Sequence, residues 1–176
     1  EVIVDRDSTG SSGALRDPDG TLWFGVGDEL FEIRAGKLRS HGSVGKPYPT
    51  DLIVAIVRDP DGRLLVSSGN KLFAFESATD GSQGKFRPLY SVDQSNHIYT
   101  VAVAANSTIW IGTLLGLIKS VGGKTTVIRD LDSSPTQTVR ALKYDRRGNL
   151  WMCLPYNGIR LLQSESITNY VPQNEI

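Results

Sequence analysis

Short stretches in which apolar and polar positions alternate recur along the chain, and each runs into a tight-turn signal. Leu15 marks the first stretch, Val54 and Ile56 the second, Val101 and Val103 the third, and Leu142 and Tyr144 the fourth. Period-two alternation of this kind predicts a strand with one buried face. The turns that follow are written Asp17-Pro18-Asp19-Gly20, Asp59-Pro60-Asp61-Gly62 and Asp145-Arg146-Arg147-Gly148. Proline presets φ, aspartate bonds the neighbouring backbone, and glycine supplies the positive φ that closes a hairpin. The third copy reads Ala105-Asn106-Ser107-Thr108, without proline or glycine, so its turn signal is the weakest of the four.

A second strand is predicted after each turn, at Leu22–Phe24, Leu64–Val66, Ile109–Ile111 and Leu150–Met152. A polar or glycine-containing link leads to a third strand, at Leu30–Ile33, Leu72–Phe75, Leu117–Ile118 and Ile159–Leu161. Weaker fourth strands are expected at Leu38–Ser40, Phe86–Leu89, Thr126–Ile128 and Ile167–Tyr170. No segment holds an apolar 3.6 period long enough to predict a helix.

The aromatic slot of the second strand is filled by Trp23, Leu65, Trp110 and Trp151, spaced 42, 45 and 41 residues apart. Four short strands repeating at about forty residues mark propeller blades. The expected fold is therefore all-β, a β-propeller of four four-stranded blades. Residues 13–52 form blade 1, 53–98 blade 2, 99–138 blade 3 and 139–176 blade 4. Residues 1–12 hold the last strand of a preceding blade (Glu1 to Asp5) and a linker. The tryptophans are expected to fill the wedge between neighbouring sheets, and Leu65 fits the same slot as another apolar side chain.

The string D-x-x-G-x-L-W-[apolar]-G, present from Asp17 to Gly25 and nearly again from Asp145 to Cys153, resembles the two-component regulator propeller repeat. Trp110-Ile111-Gly112-Thr113 followed by Gly116-Leu117 is similar to the second half of that repeat. The second copy departs from it by lacking the tryptophan, and the fourth by placing Met152-Cys153 where an apolar residue and glycine are usual. The resemblance implies the periplasmic, ligand-binding sensor of a bacterial two-component receptor, often one that reads carbohydrate. It also implies a ring of about seven blades, of which this chain would be a segment. The remaining blades, a membrane-crossing segment and a histidine kinase or other output domain would lie elsewhere in the parent protein. Such sensors often act as homodimers.

Nineteen basic and nineteen acidic side chains cancel and are scattered along the chain. That balance offers no field for nucleic acid or an anionic membrane surface. Cys153 is the sole cysteine, so neither an intrachain disulfide nor a cysteine-built zinc site can form. His41 and His97 are the only histidines and fall in different copies, which gives no metal site and no nucleophile–histidine motif. The opening Asp5-Arg6-Asp7 resembles the start of a calcium loop, but the twelfth position is Arg16 in place of glutamate. Gly25-Val26-Gly27 lacks the third glycine and the helix of a nucleotide site. No catalytic residue, metal or cofactor is therefore expected. A non-catalytic protein-interaction scaffold is the alternative. An enzyme similar to streptogramin lyases is a weaker one, because those use a histidine and a metal where only His97 is on offer.

In a propeller, the links between second and third strands share one face with the connections between blades. Those segments vary here while the first hairpins do not, and loops on a rigid scaffold carry function. Tyr48, His97, Tyr99, Tyr156 and Asn157 are the candidate ligand contacts on that face. Aromatic faces with amide and imidazole groups suit a small-molecule ligand such as an oligosaccharide, or a peptide.

Overall fold

A computed structural model of the chain describes residues 13–45, 52–78, 83–128, 137–155, 158–163 and 166–170. The described residues form sixteen strands and no helix, arranged as four separate antiparallel sheets of four. Blade 1 holds β1 (Ala14–Arg16), β2 (Leu22–Val26), β3 (Glu29–Arg34) and β4 (Lys37–Ser43). Blade 2 holds β5 (Ile53–Arg58), β6 (Leu64–Ser68), β7 (Lys71–Glu76) and β8 (Lys85–Ser91). Blade 3 holds β9 (Ile98–Val103), β10 (Ile109–Thr113), β11 (Gly116–Val121) and β12 (Lys124–Ile128). Blade 4 holds β13 (Ala141–Tyr144), β14 (Leu150–Leu154), β15 (Gly158–Gln163) and β16 (Ser166–Tyr170). Each sheet is a meander in chain order. The chain divides into two compact units, one built on blades 1 and 2 and the other on blades 3 and 4. The segment Glu1 to Asp5, read as a strand of a preceding blade, lies outside the described residues.

The first hairpins explain why the repeat is so regular. In blade 1 the Asp17 amide donates to the Thr21 carbonyl at 2.8 Å and Gly20 donates to Asp17 at 2.9 Å. Blade 4 repeats both bonds between Asp145 and Asn149 and between Gly148 and Asp145. The third hairpin, whose turn signal is the weakest, closes in the same way. Ala104 donates to Thr108 and Ser107 to Ala104, both at 2.9 Å, with Ser107 at a φ of 63° in the place of glycine. Asn106 Oδ1 caps the Thr108 amide as Asp19 Oδ1 caps Thr21, so side-chain bonding offsets the cost of a left-handed serine.

Two sequence expectations need correcting. In the first three blades the second and third strands run on into the segments read as links, leaving only two residues, 27–28, 69–70 and 114–115, between paired strands. The fourth strands of blades 1 and 2 are not short: β4 and β8 span seven residues each. Their side chains are largely exposed, so the apolar pattern that marks an inner strand is faint in them.

In the first unit Trp23, Leu30, Ile53, Ile56, Leu64, Val66 and Phe75 pack together. In the second, Trp110 joins Leu117, Val139, Leu142, Leu150 and Met152. Trp23, Leu65 and Trp110 are buried, as the wedge reading requires, while Trp151 is half-buried. An ion pair closes the first wedge over Trp23. Arg58 at the end of β5 gives Nε to Asp17 Oδ1 at 2.7 Å and Nη2 to Oδ2, its guanidinium 6.0 Å from the Trp23 ring centroid. Trp23 Nε1 donates to the same Asp17 Oδ2 at 2.8 Å. Arg58, then Trp23, hold the Asp17 carboxyl below its ordinary value against the opposing effect of burial.

His41 lies in the same unit, 1% exposed, with its ring 5.3 Å from Trp23 and 5.0 Å from Phe75. Its Nε2 sits 3.5 Å from Glu32 Oε2, and neither ring nitrogen has a hydrogen-bond partner among the described residues. Burial pushes its pKa below the ordinary 6.5, with Glu32 opposing and Arg39 and Arg34 adding to the drop. A folded value below the unfolded one means the folded state favours neutral imidazole. Stability from this site is thus complete above about pH 6.5 and lost as pH falls through the lowered value. Urea midpoints of the parent are expected to fall as pH drops below about 6.5 more steeply than those of His41→Phe. Equal slopes would show that His41 is charged or solvated in the fold.

Candidate ligand-binding site

The turn at Leu114-Leu115, between β10 and β11, is held from both sides by the chain segments that enter β9 and β13. Leu114 donates its amide to the His97 carbonyl at 3.0 Å, and Leu115 donates to Asn96 Oδ1 at 3.3 Å. The Thr113 hydroxyl accepts from Asn96 Nδ2 at 3.3 Å and donates to the Gly116 carbonyl at 2.9 Å. On the other side, Thr138 Oγ1 donates to the Leu114 carbonyl at 3.0 Å and Val139 N to the Thr113 carbonyl at 2.9 Å. Asn96, Thr113 and Thr138 are all buried. A turn braced by buried side chains gives this end of the unit a rigid surface.

Two predicted contacts stand on that surface. His97 is exposed and Tyr99 half-buried, with fully covered Ile98 between them, so strand alternation sets both on one side. Arg140, at the entry to β13, places its guanidinium carbon 3.8 Å from the Tyr99 ring centroid. That close stack pins a planar five-donor group over an aromatic ring. Leu115, 55% exposed, adds apolar area at the turn. Tyr48, Tyr156 and Asn157 lie outside the described residues. Among the described residues, no group of three His, Cys, Asp or Glu is placed to hold a metal.

Arg140 was not among the sequence candidates, although the repeat holds the clue. Tyr99 and Arg140 each stand eleven residues before the tryptophan of their own copy. Equivalent positions on first strands of adjacent blades are neighbours, so reading the repeats as columns pairs them. The arrangement offers directional donors beside a partly used aromatic face. It suits hydroxyl-rich or carboxylate-bearing ligands and contains no nucleophile–base pair.

The fold defines the chain as a β-propeller protein. It is similar to a structure described as the extracellular domain of a hybrid two-component system from B. thetaiotaomicron. The TM-score is 0.73 at 18% identity, with 92% of this chain and 22% of that one covered. A second such extracellular domain from that organism aligns at a TM-score of 0.62 and 12% identity, covering 94% of this chain and 25% of the other. A catalytically inactive virginiamycin B lyase from Staphylococcus aureus, with quinupristin, gives 0.76 at 15% identity, covering 97% and 58%. The chain thus spans under a quarter of the first of these proteins and under three-fifths of the lyase. At such identities the likeness establishes the propeller fold. Comparison with family models finds no match, and neither does comparison with curated proteins.

Proposed function

We propose that this chain is a ligand-binding sensor module, the extracytoplasmic propeller of a bacterial two-component receptor, with oligosaccharide as its ligand class. The observation that carries the reading is the Tyr99–Arg140 stack beside exposed His97, on a surface braced through Asn96, Thr113 and Thr138. A prearranged aromatic–guanidinium pair binds sugar hydroxyls or carboxylates without first paying to order itself. Shared architecture with extracellular domains of two-component systems supports the sensor context. The remaining blades, an anchor and an output domain would then belong to the rest of the parent protein. The module itself would do no chemistry.

The test is calorimetric titration of the full chain with a panel of neutral and uronate-containing oligosaccharides. Tyr99→Ala and Arg140→Ala are each expected to weaken the best binder by about tenfold, since each removes half of a stacked cation–aromatic pair. Unchanged affinity in both variants would remove the site. Absence of binding across the panel would remove the ligand class.

A further inference from the structure

Arg34, Arg58 and Arg87 each reach a carboxylate, of Asp19, Asp17 and Glu76 in turn. Arg140 lies instead over the Tyr99 ring, its guanidinium carbon 3.8 Å from the centroid, and makes no ion pair among the described residues. A guanidinium stacked on a ring uses its face and keeps its N–H edge. The fork that matches a carboxylate in two parallel hydrogen bonds therefore stays unspent. The side chain is exposed, which leaves that fork within reach of a ligand.

The backbone that carries this pair is fixed. Arg140 N donates to the Cys153 carbonyl at 3.0 Å, and Val139 N to the Thr113 carbonyl at 2.9 Å. Ile98, next to Tyr99, and Val139, next to Arg140, are fully buried. Leu114 ties the two approaches together, its amide bonded to the His97 carbonyl and its own carbonyl to Thr138 Oγ1. Exposed His97 and Leu115 are part of the same braced turn, and add an imidazole and apolar area to the surface that holds the fork.

We infer that this surface selects an acidic sugar, a hexuronate unit whose carboxylate seats in the Arg140 fork while its hydroxyls pair with Tyr99 and His97. The inference rests on the oligosaccharide reading above and narrows it to the charged members of that class. A neutral sugar offers the fork only single uncharged acceptors, whereas a carboxylate forms a bidentate, charge-assisted pair about twice as strong per bond. Asp93, the carboxylate of the link that leads to His97, is exposed and makes no ion pair with Arg140. Its charge acts through water and salt, which weaken it relative to a carboxylate at hydrogen-bond distance.

The probes are disaccharides of galacturonate, glucuronate and mannuronate, each set against its methyl ester, which keeps the rings and hydroxyls and removes the charge. Calorimetric titration of the full chain is expected to find an acid that binds at least about tenfold more tightly than its own ester. Arg140→Gln, an exposed substitution whose urea midpoint should match the parent's, is expected to bring acid and ester within about twofold of each other. Esters or neutral oligosaccharides bound as tightly as the acids would overturn the acidic class and leave the oligosaccharide reading standing. A preference that survives in Arg140→Gln would overturn Arg140 as its source. Absence of binding by acids, esters and neutral oligosaccharides alike would remove both readings together.

Discussion

Gly112→Val is expected to break the packing of blade 3 against blade 4, with a loss of about 3–5 kcal/mol and a markedly lower urea midpoint. A Cβ at Gly112 would meet Thr100 Cγ2 at 2.5 Å, the Val139 carbonyl oxygen at 2.8 Å and Val139 Cγ1 at 2.9 Å. Two of these atoms belong to Val139, which is fully buried and whose amide is bonded to the Thr113 carbonyl. The Val139 backbone cannot retreat without breaking its bond to the Thr113 carbonyl, which braces the turn beyond it. Even Gly112→Ala is expected to cost about 2–3 kcal/mol. The same column in the fourth copy holds Cys153, which is exposed, and Cys153→Ala should be neutral within about 0.5 kcal/mol. Equal midpoints for Gly112→Val and the parent would show that the two blades do not approach as described.

Asp17→Ala is the second large effect, because one carboxylate serves two partners. Its removal leaves the Trp23 indole N–H without its acceptor and the Arg58 guanidinium without its fork in a part-buried wedge. A cost of about 2–4 kcal/mol is expected, above that of a surface ion pair because Asp17 is only 10% exposed. Asp17→Asn retains an acceptor for Trp23 and should cost less. A double-mutant cycle with Arg58→Ala should return a coupling of at least about 1 kcal/mol. A coupling near zero would mean that the pair does not lock the blades.

The sign of the acid dependence follows from the carboxylates. Asp17 is held below its ordinary 3.8 by Arg58 first, and Asp145 is lowered to about 2 by Trp151 first and then Asn149. Folded values below unfolded ones mean that the stability they contribute is complete above about pH 4. It is lost as pH falls through the folded values. The contribution of His41 begins to be lost lower than about pH 6.5, and that of these carboxylates lower than about pH 4. Asp17→Ala should flatten the fall below about pH 4, and His41→Phe the fall that begins below about 6.5.

The repeat made the blades legible because its signals are local. Alternation over a strand is set by neighbours two residues apart, and the first hairpins of blades 1, 3 and 4 close through bonds within five residues, as Asp17 to Thr21 and Asp145 to Asn149 show. Even the third hairpin was recoverable in kind, since Asn106 and Ser107 supply the bonds that aspartate and glycine supply elsewhere. The aromatic spacing located the wedge, because one large apolar slot per blade is what stacked sheets must fill.

The sequence by itself thus determined the strands, the turns, the four blades and the buried tryptophan slots. It also offered His97 and Tyr99 as candidate contacts on the face of the links between blades. Only the tertiary structure decided what meets across a wedge: Arg140 over Tyr99, Val139 against Gly112, and Arg58 on Asp17. Tyr99 and Arg140 stand 41 residues apart in the same column of neighbouring repeats, Asp17 and Arg58 41 apart in adjacent columns, and Gly112 and Val139 27 apart in unrelated ones. Their contact depends on the register in which one sheet packs on the next, a non-local property that no alternation or turn signal encodes.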